Sequence, residues 1–124
     1  MEIRNIEREE RWIYGVSDEG YDSDIDDGMY VCSIIVTAIQ SLSVETKMCL
    51  FIKTNNHIVI CIDDIVYSGN GEYGHFIVFD SNNKIKATLH ESFLNNDMFF
   101  EGSWQNAIDN DSMGFWKIKI LSKR

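Results

Sequence analysis

Residues 57–80 read HIVICIDDIVYSGNGEYGHFIVFD: two runs of β-branched and aromatic side chains divided by a glycine-rich segment, the pattern of a long β-hairpin. Side chains alternate across a strand, so Ile58, Ile60 and Ile62 share one face and Val59 and Cys61 the other. Asp63-Asp64 interrupts the first run before Ile65, Val66 and Tyr67 resume it, which predicts a bulge, a bend or a strand edge. On the return strand Phe76 and Val78 oppose Ile77 and Phe79. A hairpin of this composition is stable only when more strands bury its apolar face, so the remainder of the chain must supply them. The sequence contains no proline, which suits strands that need every backbone donor.

Further strands are readable on both sides. Residues 29–42, MYVCSIIVTAIQSL, form a β-rich run that would be buried on both faces as a strand, with a helix as the alternative. In residues 44–56, Met48, Leu50 and Ile52 oppose Cys49 and Phe51, and Asn55-Asn56 makes a tight turn into residue 57. Residues 80–83, Asp-Ser-Asn-Asn, signal another turn, after which Ile85, Ala87 and Leu89 face in and Lys84, Lys86, Thr88 and His90 face out. Ser92 is placed to cap a short helix containing Phe93, Leu94, Met98 and Phe99. Residues 114–121 close the chain, with Trp116, Ile118 and Ile120 in and Lys117 and Lys119 out. Residues 1–16 divide between a short helix or extended arm and a strand from Arg11. The expected fold is mainly β (α+β), an antiparallel sheet or β-sandwich of about six or seven strands with one or two short helices, in a single domain spanning 1–124.

Charge is distributed unevenly. Residues 1–28 hold ten acidic against three basic residues (−7), residues 29–83 five against two (−3), and residues 84–124 five against six (+1), for a net −9. The acidity peaks in residues 17–28, SDEGYDSDIDDG, with six carboxylates. Such a field repels nucleic acid and anionic membranes and attracts cationic partners. No apolar run approaches the roughly 20 residues of a membrane helix, and the charged residues from Glu2 to Arg11 do not form a secretory signal, so a cytoplasmic location is expected. Cys32, Cys49 and Cys61, an odd number within apolar runs, are expected as reduced core thiols.

Motifs for chemistry fall short on inspection. Gly69-Asn70-Gly71-Glu72-Tyr73-Gly74 matches G-x-G-x-x-G, but a strand follows it where a dinucleotide site needs a helix, so it is expected to be a hairpin turn. Asp22, Asp24 and Asp26 have the alternation of a calcium loop, but Gly28 comes one residue late and Ser33 stands where the bidentate Glu is due. His57 and Cys61 share a strand face about 13 Å apart, too far for one ion. Cys61 lies in an apolar run, the setting of an inert thiol more than of a nucleophile with His75 as base, and Asp63 and Asp64 point to opposite faces. No catalytic residue, cofactor or metal is expected. Trp12, Tyr14 and Tyr30 are assigned to packing, and Tyr21, amid acids, to the surface.

Size, cytosolic character, reduced cysteines, acidity focused in residues 18–27 and the absence of a catalytic signature together resemble the small acidic immunity proteins of bacterial contact-dependent growth inhibition and related polymorphic toxin systems. That resemblance implies a non-enzymatic antitoxin that occludes a basic protein toxin, such as a nuclease domain, without contacting nucleic acid or membrane itself. The partner-binding set is then Asp18, Glu19, Tyr21, Asp22, Asp24, Asp26 and Asp27. Two other readings compete: a small-molecule- or metal-dependent β-fold enzyme or binding protein with a pocket lined by His57, His75 or His90, and a phage-type inhibitor that mimics nucleic acid.

Overall fold

The computed structural model describes residues 25–109 and 111–124. They form eight antiparallel strands: β1 Gly28–Ala38, β2 Ser43–Thr54, β3 His57–Ile62, β4 Ile65–Glu72, β5 His75–Asp80, β6 Ile85–Leu94, β7 Asp97–Asn106 and β8 Met113–Lys123. Each strand pairs with the next, and β8 returns to pair with β1, closing an up-and-down barrel. Closure removes both sheet edges, which an open sheet or sandwich would leave exposed. The count of six or seven strands was one or two short, and no helix occurs among the described residues.

Three departures from expectation have local causes. The segment from Ser92 to Phe99 is not a capped helix: β6 and β7 meet at Asn95-Asn96, whose φ angles of 53° and 74° make the two-residue turn that matches strand twist. Asp63-Asp64, at 49° and 67°, is likewise a complete hairpin turn, so the long hairpin expected over residues 57–80 is three strands. The glycine-rich segment is mostly strand, and only Tyr73-Gly74 turns, at 58° and 78°. Gly69 and Gly71 lie within β4 because a Cβ on either would sit 1.8 Å from the carbonyl oxygen of Ile77 or His75. Glycines at such close approaches let a barrel wall bend sharply.

Alternation along each strand sends one face into the barrel. Residues 28–38 are buried on alternate positions, with Cys32 and Ile34 inward, and not on both faces. The interior holds Phe51, Phe76 and Phe100 fully buried, with Phe51 stacked on Phe100 at 4.7 Å and Phe76 edge-on to Phe100 at 6.0 Å. Ile34, Ile58, Ile60, Leu89 and Ile118 fill the space around them. Trp104 spans the closing seam. Its indole N–H donates to the Thr37 carbonyl at 3.0 Å, through space that a Cβ on Gly114 would invade at 2.6 Å from that nitrogen.

Cys32 and Cys49 face each other across β1 and β2 and are joined by a disulfide, which corrects the expectation of three reduced thiols. Cys61 is free and half-buried on the outer wall. No helix of the described residues is long and apolar enough to cross a membrane.

Candidate binding surfaces

Residues 25–27, the described part of the acidic segment, lead into β1 at the near end of the barrel. Asp18, Glu19, Tyr21, Asp22 and Asp24 lie outside the described residues; Asp26 and Asp27 lie within them. Asp27 is the root of the loop. Its carboxylate oxygen accepts from the Asn55 amide at 3.0 Å and from Lys53 Nζ at 3.1 Å, and Lys53 also donates to the Asn55 carbonyl. Lys53 is 3% exposed, the one buried charged side chain among the described residues, while 57% of the Asp27 side chain remains in solvent. The Asn55 amide, and after it the Lys53 ammonium, holds the Asp27 carboxyl below its ordinary 3.8. The Asp26 carbonyl accepts from the Tyr30 hydroxyl at 2.9 Å, and burial pushes that phenol above its ordinary value. Tyr30 is thus a buried anchor beneath the loop, consistent with packing.

Here the β2–β3 and β4–β5 connections, Asn55-Asn56 and Tyr73-Gly74, are two residues long and tied to the wall, with Gly71 N–H donating to the Asn56 carbonyl and Glu91 N–H to the Gly74 carbonyl, each at 2.9 Å. Leu94 and Phe93 are partly exposed beside them.

The far end is built differently. Its connections run over residues 39–42, 63–64, 81–84 and 107–112, and two of them are cross-linked, with Ile39 N–H donating to the Met113 carbonyl and Ala107 N–H to the Lys84 carbonyl. Asn106 Oδ1 accepts from the amides of Ile108 and Asp109, which holds Ile108 outward at 73% exposure. Leu42 is 87% exposed and has φ 51°. A β-carbon-bearing residue in that left-handed region costs about 1–2 kcal/mol, and at 87% exposure Leu42 has little packing among the described residues to offset it. Around these tips stand Glu45, Asp63, Asp64, Asp109 and Asp111 against Lys47, whose ammonium pairs with Glu45 and Asp63.

A third feature is a shallow concavity on the outer wall, lined by Ile35, Phe115, Ser103, Glu101, Lys117 and His90. Of the three histidines, His57 hydrogen-bonds Asn70 through Nδ1 at 2.7 Å on the outer face. His75 and His90 are also external, and of the three His90 lines the concavity. Among the described residues no group of three or more His, Cys, Asp or Glu side chains is close enough to hold a metal.

The described residues define a class: a closed antiparallel eight-stranded barrel with a side-chain-filled interior. No protein-family model, no curated protein and no solved structure matches the chain.

The far-end tips are hard to read from the sequence, because Leu42 closes the apolar run of residues 29–42 and Ile108 stands alone in a largely polar stretch. Their only signal was position, each beside short polar residues, Ser41 and Ser43 for one and Asp109 for the other.

Proposed function

We propose that this protein is a non-catalytic binding protein of the immunity type, acting in the cytoplasm to neutralise a basic protein toxin, with a nuclease domain as the favoured target. The observation that carries the reading is the concentration of five carboxylates in residues 18–26, directly upstream of Asp27, which Asn55 and Lys53 hold against the barrel wall. An acidic loop fixed at its base can enter a basic substrate groove with little ordering cost at that base, neutralise it and exclude a phosphate backbone. Asp18, Glu19, Asp22, Asp24 and Asp26 steer association, and Tyr21 supplies apolar contact that slows release. Asp27 serves both as anchor and as the inner edge of the charged surface. The aromatic packing of the interior supports a surface-binding role over a ligand-carrying one. In a reducing compartment Cys32 and Cys49 would remain neighbours through the β1–β2 ladder as thiols.

The test is capture of partners from native host lysate at low salt and at about 0.5 M salt, where exposed charges are screened. Wild-type protein is expected to retain one basic protein that is lost or weakened at high salt, and D22N/D24N/D26N protein to lose it. Absence of any partner, or equal retention by the variant, overturns the assignment.

A further inference from the structure

The register of the wall sets Glu72, His75, His90 and Glu101 side by side in one lateral row on its outer face, which Lys117 on β8, opposite Glu101, continues. Glu72 on β4 is opposite His75 on β5, His75 is opposite His90 on β6, and His90 is opposite Glu101 on β7. Both histidines are exposed, and their ring centroids are 6.0 Å apart with an interplanar angle of 32°. Directly opposed residues on antiparallel strands have Cβ atoms about 4.5–5.5 Å apart, so the backbone fixes this proximity whatever rotamers the rings adopt.

From this row we infer a divalent transition-metal site: His75 and His90 form a two-imidazole chelate. An ion about 2.0–2.1 Å from each ring nitrogen lies roughly 3.2 Å from each ring centroid, so bond angles near 90–110° require centroids roughly 4.5–5.2 Å apart. The observed 6.0 Å closes to that range through small side-chain rotations, which exposed rings permit without moving the wall. Neutral imidazole pairs favour copper, nickel and zinc over magnesium and calcium, with copper(II) bound most tightly among the divalent ions. Glu72 and Glu101 flank the pair and offset the charge of the ion; the Glu101 carboxylate is itself held by the Ser92 hydroxyl at 2.6 Å. His90 and Glu101 also line the outer concavity, so the coordination positions left by the two imidazoles open to water or to a donor on a molecule seated there. Sequence spacing concealed the site, because it joins residues fifteen positions apart through the β5–β6 register.

The test titrates copper(II) and zinc(II) separately into full-length protein, followed by calorimetry and by the histidine ring signals in NMR. One equivalent is expected, and in the titration with diamagnetic zinc(II) the His75 and His90 ring signals shift together while those of His57 stay in place. H75N and H90N should each weaken copper binding by at least roughly tenfold, the lower bound set by what loss of a mere outer-shell partner costs a metal site, while H57N binds as wild type. No binding by the wild type, H75N and H90N that bind like the wild type, or an equal loss in H57N would each overturn the site. All three substitutions fall on the outer wall, and circular dichroism identifies any variant whose fold is altered. A Q-for-E change at Glu72 and Glu101 provides a second check that leaves both ligands in place, with a smaller loss of affinity expected.

Discussion

The two ends of the barrel are made from the same strands but solve different problems. At the near end, two-residue turns such as Asn55-Asn56 and Tyr73-Gly74 lie against the wall, and Asp27, an exposed carboxylate whose partner Lys53 is buried, ties down the start of β1. At the far end, longer tips hold Leu42 and Ile108 in solvent, Leu42 in a backbone conformation that a leucine disfavours. One end spends its local interactions on anchoring, the other on display. The ends stand roughly 20–25 Å apart, from strands at about 3.3 Å per residue tilted by about 35–45° in a closed barrel. Both ends carry carboxylates and exposed apolar side chains, Leu94 at the near end and Leu42 and Ile108 at the far end, so the proposed near-end binding rests on the density of charge in residues 18–27.

The most severe way to break the comparison is to remove the wall that both ends share. Gly69→Val would place a Cβ 1.8 Å from the Ile77 carbonyl oxygen, and a valine adds two methyl groups beyond it. Loss of the cooperative folding transition in circular dichroism is expected, with the outer-wall substitution Val66→Thr as a control that keeps it.

A narrower break acts on the loop. D22N/D24N/D26N should reduce affinity for the basic partner by roughly tenfold or more, mainly through slower association, and flatten its salt dependence. L42S/I108S should leave both unchanged. Surface plasmon resonance across a salt series measures the two together.

Anchoring can be separated from charge at Asp27 and Lys53. D27N removes the anion while leaving the Lys53 ammonium buried, so the variant should melt below the wild type; K53M replaces the buried charge by an apolar chain and should cost less. Because the folded Asp27 carboxyl is depressed, its contribution is complete above the ordinary 3.8 and is lost as pH falls through the lower folded value. The gap between wild type and D27N should therefore close on acidification below that point.

The smallest effect sharpens the far end. Leu42→Asn relieves the left-handed strain, because asparagine tolerates that region, and should stabilise the barrel by up to about 1 kcal/mol in urea unfolding. A stabilising change at an exposed position would mark Leu42 as retained for something other than the fold.

Much of the wall could be read from alternation. Ile58, Ile60 and Ile62, then Phe76 and Val78, then Ile85, Ala87 and Leu89, and finally Trp116, Ile118 and Ile120 all point as a period of two requires. Closure could not be read this way, since the β1–β8 pairing joins segments about eighty residues apart and depends on a register shift between Val31 and Cys32. Asp63-Asp64 and Asn95-Asn96 were misread because neither carries the glycine that usually marks such turns; Gly69 and Gly71 were misread because glycine there serves close strand approach and not reversal. The Cys32–Cys49 disulfide and the His75–His90 pair share one cause of invisibility: each needs an exact cross-strand register. The acidic surface was legible as composition, and of its seven residues only Asp26 and Asp27 lie within the described chain, Asp27 with an anchoring role that charge patterning did not indicate.

Amide hydrogen exchange on the protein with and without its captured basic partner is the most direct test of near-end binding. Protection confined to residues 18–27 and the adjoining Asn55-Asn56 turn, with exchange at residues 39–42 and 107–112 unaltered, is the expected result. Protection of residues 39–42 and 107–112 with the acidic segment unchanged would contradict it and move the binding surface to the far end.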